Sequence, residues 1–140
     1  MASAISHAFF GLALGRIYTG RGMPLRFWVL SAACSALPDV DVIGFSFGIK
    51  YGDLLGHRGF TRSLLFALIL GCFVVLVFFN GFKDVSRRAL IAYFPLVTAS
   101  HGMLDAMTDG GLGVAFFSPF KNTRYFFKTG YEIIRIDLWL

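Results

Sequence analysis

The segment SLLFALILGCFVVLVFFNGF, residues 63–82, contains no charged side chain in twenty consecutive positions. An α-helix rises about 1.5 Å per residue, so a helix of this length matches the ~30 Å hydrocarbon core of a bilayer. The sequence therefore predicts a membrane-spanning helix here. The basic turn 83–88 follows, and the apolar run 89–107 predicts a second span that carries polar side chains near its far end.

The overall composition agrees with a membrane protein of one domain. Of the 140 residues, 56% are hydrophobic and 15% are charged, which leaves too few polar side chains to coat a soluble domain of this size. Two shorter apolar runs, 3–18 and 24–37, predict helices that are tilted, partial or covered by their neighbours. We therefore expect residues 1–140 to form an all-α integral membrane protein with about four transmembrane or partly membrane-embedded helices.

The C-terminal part of the chain has a different pattern. The glycine pair at 110–111 and the break at Ser118-Pro119 argue against a further span. Residues 134–138 alternate with the period of a strand, and aromatic side chains are frequent around them. We expect this part to be an interfacial segment that lies at the lipid headgroups.

The net charge of +5 indicates a bilayer rather than nucleic acid as the partner, because the basic residues are dispersed among apolar ones. Helices that alternate across the membrane place the basic connector around Arg21 and the turn 83–88 on the same side. Basic connectors favour the cytoplasm. The sequence thus predicts a multi-pass protein of the inner, cytoplasmic membrane, with the opposite helix ends facing outward.

Four polar motifs interrupt the apolar sequence: His7, LPDVD at 37–41, HRGFTRS at 57–63 and HGMLD at 101–105. Helix alternation places all four at the same end of the bundle. Ionisable groups at membrane depth cost roughly 2.5 to 3.5 kcal/mol each, so they tend to occur where they pair, bind an ion or do chemistry. The first and last residues of HGMLD are one helical turn apart and can hold one ion. Together the motifs predict a metal site.

Each motif also has a simpler interpretation. His101 and Asp105 can form a hydrogen bond within their helix, and the LPDVD motif can be a solvated turn or a helix cap. The third motif can be a basic loop whose Thr61 or Ser63 caps the next helix, or holds a neighbouring group, and His7 can be a core residue. The convergence of all four motifs at one end favours a metal site over these separate explanations.

The side chains of the motifs divide into predicted ligands and predicted catalytic groups. The predicted metal ligands are His7, Asp39, His57, His101 and Asp105. The predicted catalytic residues are Asp41, Arg58 and Arg62. Mixed imidazole and carboxylate ligation favours zinc or a similar transition ion over magnesium or calcium, and we expect one or two ions. The arginines suit either of two roles, as clamps on phosphate oxygens or as anchors to lipid headgroups.

Found in this order, His7, LPDVD, HRGFTRS and HGMLD with the following Thr108 resemble the YdjM-type family of LexA-regulated, predicted membrane-bound metal-dependent hydrolases. The resemblance covers about residues 7–127 and implies a hydrolase. The family pattern usually has His at the position of Arg62, which leaves open fewer metal ions, an anion-holding role for Arg62, or lost activity. A fainter likeness in ligand order to zinc-dependent phospholipase C and P1-type nucleases favours phosphoesters.

These observations lead to a functional hypothesis with two alternatives. A transition ion at this site lowers the pKa of bound water toward ~7 and polarises the bond under attack. We therefore expect a membrane-bound hydrolase that cleaves a phosphoester of a lipid or another amphiphilic substrate. Ion or proton transport through the His and Asp cluster, and a metal-stabilised scaffold without activity, stay open as alternatives.

Overall fold

A computed structural model describes residues 3–19, 22–82, 85–108, 111–128 and 132–137 of the chain. Within these residues the chain is mostly helical, as predicted. The four α-helices are α1 (Ala4–Tyr18), α2 (Leu25–Ala36), α3 (Leu64–Phe78) and α4 (Arg87–Ala106). Two 3-10 helices, Leu37–Phe47 and Phe60–Arg62, lie between α2 and α3. The number of α-helices agrees with the sequence analysis, and their bounds show how each polar motif is used.

Helix α3 is shorter than the segment that predicted it. Ser63 caps its first turn by accepting a hydrogen bond from the Phe66 amide at 3.1 Å, which confirms the predicted capping role. The helix ends at Phe78, and a turn follows in which Gly81 has a φ of 76°, a conformation that glycine adopts without strain. Its fifteen residues extend about 22 Å, less than the ~30 Å core of a bilayer.

The longest apolar helical run among the described residues is 25–47, which joins α2 to the first 3-10 helix. Pro38 stands in the first turn of that 3-10 helix, where its missing N–H costs nothing. The LPDVD motif is therefore part of a helical run and not the solvated turn of its simpler interpretation. By length and composition this run alone, within the described residues, can cross a membrane, so four crossings stay a prediction.

The helices pack as two hairpins, α1 with α2 and α3 with α4, and α2 joins the pairs by packing on α4. The buried core between them contains Phe27, Val75, Phe94 and Val97, each fully shielded. Outward-facing side chains are also apolar. Ile17, Leu25, Phe9 and Leu96 are among the large hydrophobic residues that are at least two-thirds exposed. Apolar surface on this scale is typical of helices that face lipid.

The C-terminal part corrects the prediction of an all-α fold. Thr123–Lys128 (β1) and Glu132–Asp137 (β2) form an antiparallel two-stranded sheet. The alternation of residues 134–138 predicts a strand, and residues 134–137 belong to β2. The sheet is joined to the polar end of the bundle by Arg124 of β1, whose Nη1 donates to the His57 carbonyl oxygen at 3.2 Å. Its predicted location at the headgroups stays a prediction.

Several sequence features that bear on orientation lie outside the described residues. These are Arg21, Lys83, Asp84 and Gly110. The described ends of the same connectors, with Arg16 and Arg26 on one and Arg87 and Arg88 on the other, lie at the end of the bundle opposite to the polar motifs, as helix alternation requires. The cytoplasmic location of these connectors stays a prediction.

We expect Gly71→Ala to destabilise the protein, because the added methyl group would overlap the ring and the nitrogen of Pro95 in α4. Alanine in a helix interior otherwise stabilises by up to ~1 kcal/mol relative to glycine, whereas overpacking a close contact costs about 1 to 3 kcal/mol. Thermal unfolding in detergent measures the net effect. Cys72→Ala, at the adjacent half-buried position, is the matched control, and an equal or higher melting temperature for Gly71→Ala would contradict the close α3–α4 contact.

Candidate metal centre

Four side chains from three parts of the fold meet at one end of the bundle. They are His7 near the start of α1, Asp39 in the first 3-10 helix, and His101 and Asp105 near the end of α4. One possible ligand atom from each lies within 4.8 Å of the others. Three of the residues are buried, and Asp39 keeps 20% of its side chain exposed. The predicted convergence of helix ends therefore occurs.

The hydrogen bonding of His101 leaves one ring nitrogen facing negative charge. Its Nδ1 lies 2.7 Å from the backbone carbonyl oxygen of Ser35, which can only accept, so Nδ1 carries a proton. In a neutral ring Nε2 then presents its lone pair, which lies 3.2 Å from Asp39 Oδ1 and 3.4 Å from Asp105 Oδ2. Nε2 has no hydrogen-bond partner among the described residues. A metal ion bound by these atoms would remove the repulsion between the lone pair and the carboxylates, as would a second proton on the ring.

His7 adds a second imidazole with unsatisfied nitrogen atoms. The residue is completely buried, its ring stacks on His101 at 3.7 Å between centroids, and neither nitrogen has a hydrogen-bond partner among the described residues. Its Nε2 lies 3.6 Å from Asp105 Oδ1. Leaving a buried polar group unsatisfied costs about 1 to 3 kcal/mol. A metal ion would bind one nitrogen of each histidine, so the donor set fits a transition ion.

Ser35 holds both histidines, and the sequence analysis did not identify it. Its carbonyl oxygen orients His101, while its hydroxyl donates to the backbone carbonyl oxygen of His7 at 2.7 Å. Histidine ligands in metalloproteins almost always donate their second nitrogen to a carbonyl or carboxylate in this way. Ser35 stands one helical turn before Asp39 in the run 25–47. A small polar residue in an apolar helix, one turn before Asp39, is the sequence signal that could have identified Ser35.

Arg62 lies in the middle of the carboxylates with its side chain fully buried. Its Nε donates to Asp105 Oδ2 at 2.5 Å, and its Nη2 donates to Asp39 Oδ1 at 2.6 Å. Its Nη1 donates to Asp41 Oδ2 and to the carbonyl oxygen of Pro38. Each of the three guanidinium nitrogens thus has an acceptor. Burial of this kind does not fit an anchor to lipid headgroups.

Asp41 and His57 form a separate pair beside the four-residue group. The His57 Nδ1 lies 2.8 Å from Asp41 Oδ1, and the buried Nε2 has no hydrogen-bond partner among the described residues. Asp41 Oδ2 also accepts from the Thr61 hydroxyl at 2.7 Å and the Arg58 amide at 3.2 Å. Thr61 is therefore a partner of the site, as predicted. The ligation of metal by His57 stays a prediction, since the group of possible ligands found in the described residues does not include it.

Arg58 braces the end of α4. It is 1% exposed and has a φ of 64°, rare for a residue other than glycine. Its Nη1 donates to the Asp105 carbonyl at 3.2 Å, and its Nη2 donates to Thr108 Oγ1 at 3.0 Å. The distance from its Nε to Asp105 Oδ2 is 3.8 Å. The guanidinium therefore supports the helix turn that carries Asp105, and, like Arg62, it is too buried to anchor headgroups.

A third buried arginine, Arg124 of β1, was not among the predicted site residues. Its guanidinium donates to the carbonyl oxygens of Tyr51 at 3.0 Å, His57 at 3.2 Å and Gly113 at 3.4 Å. Burial lowers the pKa of Arg124 below its ordinary value, but an arginine stays protonated in a protein. The sheet is thereby joined to the loop that carries the third motif. No sequence pattern separated Arg124 from the other basic residues of the C-terminal segment.

The chain is similar to known inner membrane proteins. The sequence model of the family described as "YdjM inner membrane protein" matches residues 1–140. The protein named "Inner membrane protein YbcI" of Escherichia coli (strain K12) is 34% identical over 136 residues, which cover 97% of this chain and 77% of that relative. No solved structure matches the chain.

Proposed function

The chain belongs to the YdjM inner membrane protein family, and we propose that it is a membrane-bound, metal-dependent hydrolase. In this proposal His7, Asp39, His101 and Asp105 hold a divalent transition ion, with zinc the best match to two imidazoles and two carboxylates. The observation that carries it is the unpartnered Nε2 of His101, whose tautomer is set by Ser35 and which faces two carboxylates. When bound, the ion would act as a Lewis acid and activate water.

The charge of the site favours an anionic substrate. Three carboxylates, Asp39, Asp41 and Asp105, face the guanidinium groups of Arg58 and Arg62, which leaves one excess negative charge. A divalent ion would reverse that sign. A net positive site that holds little water attracts an anionic phosphate group more strongly than it attracts a neutral group. This supports a phosphoester over a neutral ester or amide as the bond that is cleaved.

An apolar cavity beside the centre supports an amphiphilic substrate. It has a volume of about 280 Å³, is open on one side, and its lining residues are Leu64, Leu65, Leu68, Phe116, Phe117, Ser118 and Phe120. Phe116 lies next to Gly102, which adjoins the ligand His101. A hydrocarbon chain in this cavity would lie beside the turn of α4 that carries His101. We therefore propose a lipid phosphoester or a similar amphiphile as the substrate class.

His57 and Asp41 are suited to moving a proton. Asp41 holds the Nδ1 proton of His57, which leaves Nε2 as a buried base without a partner among the described residues. Thr61 and the Arg58 amide fix Asp41 in turn. An imidazole oriented by a carboxylate is the usual arrangement of a general base, whose removal costs about 10²- to 10⁴-fold in rate. We assign the pair to proton transfer during hydrolysis.

The first prediction concerns bound metal. Protein purified in detergent without a histidine tag should carry or take up zinc, manganese or a related ion, measured by elemental analysis. His101→Ala and Asp105→Ala should each lose most of it, because an incomplete shell binds weakly. Asp53→Asn removes an exposed carboxylate that caps the Lys50 amide, and it should keep the metal. Less than about a tenth of an equivalent in the unmodified protein, with no uptake on titration, would exclude the metal centre.

The second prediction concerns the substrate. The protein in detergent should release phosphate or headgroup from a long-chain lipid phosphoester, and a chelator should stop the release. Leu68→Trp fills the cavity and should lower turnover of the long-chain substrate more than that of its short-chain analogue. Leu76→Trp is the matched control, because both leucines are 51% exposed on α3 but Leu76 lies outside the cavity. Equal effects on both substrates would contradict binding of the hydrocarbon chain there.

The third prediction separates proton transfer from ligation at His57. His57→Gln should lower turnover about 10²-fold or more while the metal content is unchanged. Asp41→Asn should also lower turnover, because the substituted side chain no longer fixes the tautomer of the His57 ring. If His57→Gln instead loses metal, His57 is a ligand, as the sequence predicted. Bound metal without turnover on any phosphoester would favour the alternative of an inactive, metal-stabilised scaffold.

A further inference from the structure

The guanidinium of Arg62 uses the same oxygen atoms that a second metal ion would need. It donates to Asp39 Oδ1, Asp105 Oδ2 and Asp41 Oδ2, one oxygen of each carboxylate in the centre. Asp41 has no oxygen left over, since its Oδ1 pairs with His57. A second ion bound through Asp41 would have to displace the guanidinium, because Asp41 Oδ2 already accepts hydrogen bonds from Arg62, Thr61 and the Arg58 amide.

The position of Arg62 follows from the cost of buried charge. A carboxylate moved out of water pays several kcal/mol unless a cation and further hydrogen bonds compensate it. Three carboxylates so close together need more than one positive charge, and one divalent ion touching Asp39 and Asp105 leaves Asp41 uncompensated. The guanidinium is planar, permanently charged and can bond several acceptors at once, so it serves all three.

The first metal site shares two oxygens with the guanidinium but does not need it to leave. Asp39 Oδ1 and Asp105 Oδ2 lie 3.2 Å and 3.4 Å from His101 Nε2, and the one hydrogen bond that each accepts from Arg62 leaves a lone pair for an ion. Asp105 Oδ1, the oxygen that Arg62 does not use, lies 3.6 Å from His7 Nε2 on the side of the two histidines. One ion held by the histidines can therefore share Asp39 and Asp105 with Arg62, whereas both oxygens of Asp41 are already taken by His57, Thr61, Arg62 and the Arg58 amide.

We propose that Arg62 is a built-in second cation and that the centre consequently binds one metal ion and not two. The proposal rests on the metal centre of the proposed function and deepens it. Arg62 then supplies one of the positive charges that the carboxylates of Asp39, Asp41 and Asp105 require, and it leaves room for one ion. A two-ion mechanism, in which both the attacking and the leaving oxygen contact metal, does not operate at this centre.

The test counts metal ions in purified full-length protein after equilibration with excess Mn²⁺ and removal of unbound ion. The unmodified protein should hold one equivalent. Arg62→Gln, which keeps a polar side chain but removes the charge, should hold two. Arg124→Gln is the matched control, because it removes a guanidinium that is equally buried but donates to carbonyl oxygens and to no carboxylate, and it should hold one.

Electron paramagnetic resonance supplies a second readout that needs only the unmodified protein, in case Arg62→Gln does not fold. One Mn²⁺ should give the six-line spectrum of an isolated ion, whereas two ions about 3.5 to 4 Å apart would couple and give a broadened multiline spectrum. Two equivalents or a coupled spectrum in the unmodified protein would overturn the role of Arg62 but not the metal centre. One equivalent in folded Arg62→Gln would do the same. No binding in any variant would overturn the proposed function itself.

Discussion

The polar end of this protein depends on one guanidinium, that of Arg62, which donates hydrogen bonds to three clustered carboxylates. Asp39, Asp41 and Asp105 come from two separate parts of the chain, and Arg62 donates to all of them from a third. Without that cation the helix ends would repel each other across a medium of low dielectric constant. The hydrogen bonds from Arg62 also fix the two carboxylate oxygens that lie nearest to His101 Nε2.

Small residues let the helices approach closely enough for this arrangement. A methyl group at Gly11 would lie 2.6 Å from the Ser31 carbonyl oxygen, so α1 and α2 meet backbone to backbone near the turn that carries His7. Gly102 plays the equivalent part on α4, where a methyl group would lie 3.0 Å from the Arg62 carbonyl oxygen. Side chains as short as aspartate can converge from different helices only if the backbones come this close. The glycines therefore belong to the site as much as the ligands do.

The surroundings of the centre match its proposed use at a membrane. Outward helix faces are apolar, and the cavity next to Gly102 is lined by leucine and phenylalanine. The centre itself is buried except for part of Asp39. A substrate that carries both a hydrocarbon chain and an anionic group can satisfy these two environments at once. A fully water-soluble substrate would gain nothing from the apolar cavity, whose filling contributes roughly 25 cal/mol per Å² of buried apolar surface.

The sequence by itself determined the helices, their order and the end of the bundle at which the polar motifs meet. Apolar runs of helical length define α1 to α4, and simple alternation of antiparallel helices brings His7, Asp39, His101 and Asp105 to one end. The spacing of His101 and Asp105 by one turn placed both in the same group without any knowledge of the tertiary structure. These predictions succeeded because they rest on local periodicity.

Only the tertiary structure decided which polar atoms pair. Sequence spacing could not distinguish His57 from the other histidines, and only the structure shows its Nδ1 paired with Asp41. Nor could it show that Arg62 is buried among carboxylates, or that Ser35 orients two histidines through one carbonyl and one hydroxyl. Hydrogen bonds of this kind form only when the distances between atoms of distant segments are correct to within a few tenths of an ångström. Such distances are set by how closely the helix backbones pack, and no local pattern in the sequence encodes them.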